Sequence, residues 1–368
     1  MEWTTQQAAA IDAVHAWLKD KKGPQVFRLF GFAGTGKTTI AKAIREGIDG
    51  KVLFGAFTGK ACLVLRKKGC EGASTIHSMI YKLEDPDHNG QPKFVKNRDS
   101  DVRYAKLVII DECSMVDEEL GRDLESFNTR ILVLGDPFQL PPVKGAGYFT
   151  ENVIPDAMLT DIRRQALDNP IIRMSMDIRE GRGLSLGQYG DSRVITRSQL
   201  DTQDVLDADQ VIVGLNRTRR GFNARIRELL GFTFDTPQRD DRLVCLRNKR
   251  DLQLLNGGIW TVKVAHAPDQ NDIINMAVKS EDDETLTHPI TVNTYKNFFY
   301  GTEDELEWWQ RRETEEFDFG YALTCHKAQG SQWDNTMVFD ESRTFRRDAA
   351  RWLYTGVTRA AERITVVN

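Results

Sequence analysis

The stretch Gly31-Phe32-Ala33-Gly34-Thr35-Gly36-Lys37-Thr38 decides how the rest of the chain is read. It follows an apolar, β-forming run, Val26-Phe27-Arg28-Leu29-Phe30, and opens a segment of helical periodicity from Thr38 to Ile48. A glycine, four free positions and then Gly-Lys-Thr between a strand and a helix is the pattern of a phosphate-binding loop. Glycines at Gly31, Gly34 and Gly36 let backbone N–H groups wrap phosphate oxygens, and the helix N-terminus adds its favourable dipole. Ala33, Thr35 and Thr39 complete the cradle. Lys37 is expected to reach the β- and γ-phosphates, and the Thr38 hydroxyl to ligate Mg²⁺. The chain should therefore bind a nucleoside triphosphate and hydrolyse it.

A magnesium nucleotide needs a carboxylate partner and an oriented water. Leu107-Val108-Ile109-Ile110-Asp111-Glu112 supplies both at the end of a second apolar run. Asp111 is expected to hold Mg²⁺ together with Thr38, and Glu112 to polarise the attacking water. A third segment, Gly135-Asp136-Pro137-Phe138-Gln139-Leu140-Pro141-Pro142-Val143, comes after the run Ile131-Leu132-Val133-Leu134. The Gln139 amide can donate to phosphate and accept from water, which suits a sensor of the γ-phosphate. The prolines at Pro141 and Pro142 stiffen the backbone beyond it.

Strand-like runs alternating with helical stretches predict an α/β protein built on parallel sheet. The same grammar returns in the second half at Val211-Ile212-Val213, Thr336-Met337-Val338-Phe339 and Ile364-Thr365-Val366-Val367. Two segments interrupt it. Residues 81–104 are polar and carry Asn89-Gly90, a hairpin signal. Residues 260–317 open with Trp260-Thr261-Val262-Lys263-Val264 and later hold the acidic run Glu281-Asp282-Asp283-Glu284. A length of 368 residues allows more than one domain, and 40% hydrophobic with 28% charged residues is an ordinary globular balance. The five cysteines are scattered, without metal-ligand spacing, so reduced structural thiols are expected. No apolar run reaches membrane-spanning length and the N-terminus lacks a secretory pattern, which predicts a cytoplasmic location. A net charge of −4 means that any nucleic-acid contact needs a local groove.

Taken in order, the motifs resemble those of superfamily 1 DNA helicases of the RecD/Dda-like branch. Thr4-Thr5-Gln6-Gln7-Ala8-Ala9-Ala10 resembles the Q motif, whose glutamine reads adenine; Gln7 is assigned, with Gln6 as the alternative. Phe57-Thr58-Gly59-Lys60-Ala61 resembles motif Ia, and Ser74-Thr75-Ile76-His77 the segment after it. The Asp111 and Gly135-to-Val143 segments are similar to motifs II and III. Leu159-Thr160-Asp161-Ile162-Arg163-Arg164-Gln165 looks like motif IV, and Leu255-Asn256-Gly257-Gly258 like the Asn-Gly segment. Tyr321 to Ser331 resembles motif V and Tyr354 to Ala360 motif VI.

The resemblance implies two RecA-like parallel-sheet P-loop NTPase domains, 1–80 with 105–158 and 159–259 with 318–368, holding ATP between them. It implies two small, partly β insertions: a hairpin at 81–104, with Phe94 as a wedge, and an SH3-like module at 260–317. Arg164 and Arg359 become arginine fingers that cross the cleft. Thr58, Lys60, His77, Thr324, His326 and Lys327 become contacts to single-stranded DNA. The implied activity is an ATP-dependent DNA helicase, Mg²⁺-dependent, monomeric and moving 5′-to-3′, acting on forked or tailed duplexes alongside replication or recombination proteins. Trp308 and Trp309, near Arg311 and Arg312, could stack on DNA or pack the insertion, and packing is favoured. Two departures stand out. Gln332 occupies a place where many relatives carry glutamate, and the first insertion lacks strong apolar alternation, so translocation is better founded than unwinding.

Overall fold

The computed structural model describes residues 3–84, 93–143, 145–161 and 168–368. Three sheets organise them. The first is six-stranded and parallel, in the spatial order Ser74–Thr75, Val52–Ala56, Leu107–Asp111, Ile131–Gly135, Val26–Gly31 and Ala157–Leu159. Its central strands Leu107–Asp111 and Ile131–Gly135 are buried at every position, which is why they read as unbroken apolar runs. Helices Thr5–Lys19, Lys37–Glu46 and Gly59–Lys67 pack around one core, and Ile76–Ile80 and Glu118–Glu125 contribute to another.

The second sheet runs Ala322–Thr324, Gln210–Val213, Trp333–Phe339, Ala360–Val367, Ser192–Ile195 and Gly187–Tyr189. It is parallel except for the last strand, which pairs antiparallel with Ser192–Ile195. Helices Pro170–Arg179, Asn216–Leu229 and Ala349–Val357 belong to this unit. Its core also takes in a residue of the first unit, Leu140, which is 1% exposed, with Ala33 and Phe138 packed against it.

The second insertion is wider than 260–317. Its five-stranded antiparallel sheet, ordered Ile290–Tyr295, Ile273–Ser280, Ile259–Ala265, Arg242–Cys245 and Phe317–Phe319, recruits one strand before that span and one that reaches past it. Arg242–Cys245 pairs with both Ile259–Ala265 and Phe317–Phe319. The pairing and the shared core around Trp260, Met276 and Phe317 define this unit better than the composition shift. The first insertion is a two-stranded hairpin, Tyr81–Glu84 against Lys93–Lys96; its Asn89-Gly90 turn lies outside the described residues. Trp309 is 59% exposed, correcting its reading as a packing residue. The five cysteines are all buried free thiols. No described helix is long and apolar enough to cross a membrane.

Candidate nucleotide site and nucleic-acid interface

The phosphate loop leaves the end of Val26–Gly31 and enters the helix Lys37–Glu46. Gly34 and Gly36 adopt φ of 80° and 84°, left-handed values that favour glycine. A Cβ on Gly34 would lie 2.9 Å from Cδ1 of Ile172, and one on Gly36 2.9 Å from Nε2 of Gln7. The left-handed backbone is what calls for glycine at both positions, since either contacting side-chain end could shift. The Lys37 ammonium donates to the carbonyls of Gly31 at 2.6 Å and Phe32 at 3.1 Å.

Gln7 differs from the expected base-facing residue. It is 2% exposed, its Nε2 donates to the Thr35 carbonyl at 2.9 Å, and its Oε1 accepts from the Thr4 N–H at 3.1 Å within a capping box. It acts as a strut beneath the loop. Gln6 reaches the end of the strand Ala157–Leu159, where its Oε1 accepts from the Thr160 and Asp161 N–H groups at 2.7 and 2.8 Å.

Opposite the loop, Asp111 closes the buried strand Leu107–Asp111. Its Oδ2 accepts from the Thr38 hydroxyl at 3.0 Å and its Oδ1 from the Glu112 N–H at 2.9 Å. Burial, with the adjacent Glu112 charge, pushes the Asp111 carboxyl above its ordinary range, while Lys37 and the hydrogen bonds pull the other way. Glu112 sits at φ 53°, an uncommon conformation for a residue with a side chain. Thr38 and Asp111 present hard oxygen donors side by side. Among the described residues no cluster of three or more metal-ligating side chains exists. This donor set fits Mg²⁺, which is commonly held by one or two protein oxygens together with substrate phosphates and water. Gln139 is buried, and its Oε1 has no partner among the described residues. An unpaired buried acceptor costs free energy, so this atom fits a site completed by a ligand or water.

The second unit reaches this site through Tyr354, Thr355 and Gln329, which lie in the motif-like strings but carry no expected role there, and through Arg179 outside them. The Tyr354 hydroxyl accepts from the Ala33 N–H at 3.0 Å and donates to Oδ2 of Asp136 at 2.6 Å. Leu140 N–H donates to the Thr355 hydroxyl at 3.0 Å, and its carbonyl accepts from Gln329 at 2.9 Å. The Arg179 guanidinium lies 3.7 Å from the centre of the Phe32 ring, a cation–π contact onto the loop. The one signal in the sequence is a tyrosine close to Arg359 in the same motif, and its partners are too remote along the chain for spacing to reveal them.

Arg359 itself is buried, and its guanidinium donates to the carbonyls of Thr355 at 3.0 Å and Ser331 at 3.1 Å and to the Thr358 hydroxyl at 3.2 Å. These partners all belong to the second unit and are neutral, so the cross-cleft contact expected of Arg359 is not made in this arrangement. Arg164 lies outside the described residues.

Residues 2–199 match the family model described as an AAA domain, and residues 319–367 match a UvrD-like helicase C-terminal domain. The ATP-dependent RecD2 DNA helicase of Deinococcus radiodurans is 28% identical over 97% of this chain and 48% of its own length. The ATP-dependent DNA helicase RRM3 of Saccharomyces cerevisiae is 27% identical over 69% of this chain and 35% of its own. The chain belongs to the AAA domain family, as a superfamily 1 RecD/Pif1-like helicase. The chain spans about half the length, or less, of these curated relatives. A structure of Pif1 from Bacteroides in complex with ADP-AlF3 and ssDNA aligns over 99% of this chain and 92% of its own, with TM-score 0.58 and 16% identity. The shared fold is thus two RecA-like parallel-sheet units.

Away from the nucleotide loop, a cleft of about 580 Å³ is walled by Phe57 and Val143 of the first unit and by Thr324, His326 and Lys327 of the second. Lys327 donates to Oδ1 of Asn256 at 2.9 Å, and burial lowers its pKa. The Thr324 hydroxyl accepts from the Lys327 N–H at 3.3 Å. His326 packs against Phe345, and His77 packs edge-on to Phe94 with ring centroids 4.7 Å apart. Burial depresses the pKa of both histidines, with Arg250 adding to the effect at His77. Both are uncharged at neutral pH and suited to stacking or neutral hydrogen bonds, so they do not add phosphate-binding charge. Thr58 caps the helix Gly59–Lys67, accepting from the Ala61 N–H at 3.1 Å.

Lys60 is a correction. It is 5% exposed, its ammonium is 2.9 Å from Oδ1 of Asp282, and it lies 4.6 Å from the centre of the Trp333 ring. It therefore joins the first unit to the antiparallel insertion and the second sheet, and is not presented to a DNA strand. Breaking one side of a buried pair strands the other charge, at a cost of about 3 kcal/mol. Asp282→Asn is expected to lower the thermal unfolding midpoint, and adding Lys60→Met should recover most of the loss. Unchanged melting of the Asp282→Asn protein would show that the contact does not hold the units together.

Proposed function

We propose that this chain is an ATP-dependent DNA helicase that translocates 5′-to-3′ on single-stranded DNA. The carrying observation is the placement of the phosphate loop in the seam between the two parallel-sheet units, with a separate cleft walled by both. RecD2 and RRM3 are DNA helicases by description, which supports the same reading here.

ATP lies in the seam, its phosphates wrapped by N–H groups of the loop and the first helical turn, with Gln7 bracing the loop from beneath. Thr38 and Asp111 would hold Mg²⁺, which would supply charge neutralisation at the phosphates. Lys37 exchanges its two loop carbonyls for phosphate oxygens. Glu112 takes a proton from the attacking water, and Gln139 orients that water against the γ-phosphate. Arg359, held by neutral partners, turns its uncompensated charge toward the γ-phosphate as the cleft closes; Arg164 is assigned the same task. Closure changes the distance between Phe57 on one wall and Thr324 and Lys327 on the other. A strand gripped alternately by the two walls is drawn along. One chain supplies both halves of the site, which supports a monomeric motor.

A second reading, a single-strand translocase or protein-displacing ATPase without efficient unwinding, has one observation in its favour. The hairpin strands are four residues each, and Phe94 is engaged with His77 at its base. Matched duplexes with 5′ or 3′ single-stranded tails separate these readings. ATP-dependent release of the 5′-tailed duplex alone is the expected result. Stimulated hydrolysis with no release supports the second reading, and faster release from the 3′-tailed duplex overturns the polarity.

A further inference from the structure

Tyr354 occupies an unusual position for a residue of the helix Ala349–Val357 in the second unit. Its side chain is fully buried, yet both hydrogen-bond capacities of its hydroxyl are spent on the first unit. The oxygen accepts from the N–H of Ala33, the third residue of the phosphate loop, at 3.0 Å. Its proton goes to Oδ2 of Asp136 at 2.6 Å, while Oδ1 of the same carboxylate accepts from the Phe138 N–H at 3.0 Å. The Phe138 ring meets the tyrosine edge-on, with centroids 5.2 Å apart.

One hydroxyl thus ties together the phosphate loop, the acid at the end of Ile131–Gly135 and the helix leading to Arg359. A hydrogen bond to a carboxylate in a dry site is stronger than a neutral one and more sensitive to geometry. Any separation of the two units takes the hydroxyl away from the loop and the acid in the same movement. A turn of the Ala33 peptide as the loop takes up phosphate likewise changes what the tyrosine can hold.

We propose that the Tyr354 hydroxyl is a positioning group that couples the conformation of the phosphate loop, through Ala33 and Asp136, to closure of the second unit. This rests on the ATP-driven motor reading above. Tyr354 touches neither the reacting phosphorus nor the attacking water in this scheme; it sets whether Arg359 arrives when the loop is loaded.

The test is a double-mutant cycle of Tyr354→Phe and Asp136→Asn in the full chain, read by ATP turnover over a range of ATP and single-stranded DNA concentrations. Tyr354→Phe keeps the ring against Phe138 and removes both bonds. Asp136→Asn keeps an acceptor for Phe138 but can turn an amide N–H toward the tyrosine, leaving its proton without an acceptor. Each single variant is expected to lower kcat at saturating DNA by about tenfold, the size of one charge-assisted hydrogen bond, with KM for ATP within about twofold of wild type. The double variant should be no slower than the slower single one. Turnover of Tyr354→Phe within about twofold of wild type, or losses that multiply in the double variant, overturns the proposal. If one variant fails to fold by circular dichroism, the other alone still reads the link through its kcat-to-KM split. If the wild type hydrolyses ATP but ignores DNA, the motor reading fails by itself, and the cycle is then read on basal turnover.

Discussion

Replacing Lys37 by alanine is expected to reduce ATP turnover in the presence of single-stranded DNA by about 10³-fold or more, the scale set by removing a preorganised charge that meets developing charge on the transferred group. Lys37 is the cation whose ammonium already lies at the mouth of the loop, against the Gly31 and Phe32 carbonyls. These carbonyls are weak competitors for a cation beside a triphosphate, so the side chain exchanges them when nucleotide enters. Nucleotide-free DNA binding should survive, because the cleft walled by Phe57, Thr324 and Lys327 lies away from the loop. Steady-state turnover with a coupled phosphate assay, alongside fluorescence anisotropy of a labelled oligonucleotide, checks both halves. Turnover near the wild-type rate would remove the phosphate-loop assignment.

The second large effect is expected at Arg359. Alanine there should leave ATP binding near wild type while hydrolysis falls by about 10³-fold or more, the range spanned by arginine fingers. A fold-stability loss is also expected, because the guanidinium is buried and ties the Thr355 and Ser331 carbonyls. Arg359→Lys separates the two contributions. Lysine retains the charge but not the planar fork, so it should recover stability more than turnover. Single-turnover hydrolysis and equilibrium binding of a fluorescent nucleotide read the distinction, and unchanged turnover in Arg359→Ala would end the cross-cleft model.

Much of this architecture is legible in the sequence because its central strands are buried on both faces. Leu107–Asp111 and Ile131–Gly135 appear as continuous apolar runs ending in polar residues, and such runs cannot be confused with solvated loops. The glycine spacing at 31, 34 and 36 is equally legible, since Gly34 and Gly36 need left-handed backbone. The antiparallel insertion is harder. Its strand Arg242–Cys245 is four residues long and pairs with Phe317–Phe319, more than 70 residues further along the chain. Neither pattern nor spacing announces such a partner. Lys60 misleads for a related reason. A lysine among small residues and a threonine reads like a phosphate ligand, and only the fold reveals Asp282 and Trp333 around it. Tyr354 escapes notice because both of its hydroxyl partners lie more than 200 positions earlier.

Leu140 carries a consequence for how the two halves can move. It belongs to the first unit but is sealed inside the core of the second, hydrogen-bonded through its N–H to Thr355 and through its carbonyl to Gln329. Pulling a leucine fully into water costs about 2 kcal/mol, and its two backbone bonds raise that barrier. Full separation of the halves is therefore disfavoured at every stage of a cycle. The economical motion is a swivel about this plug, with the nucleotide seam and the strand cleft opening and closing like the two sides of a rocker. A short proline-stiffened loop would then serve as the fulcrum of the machine.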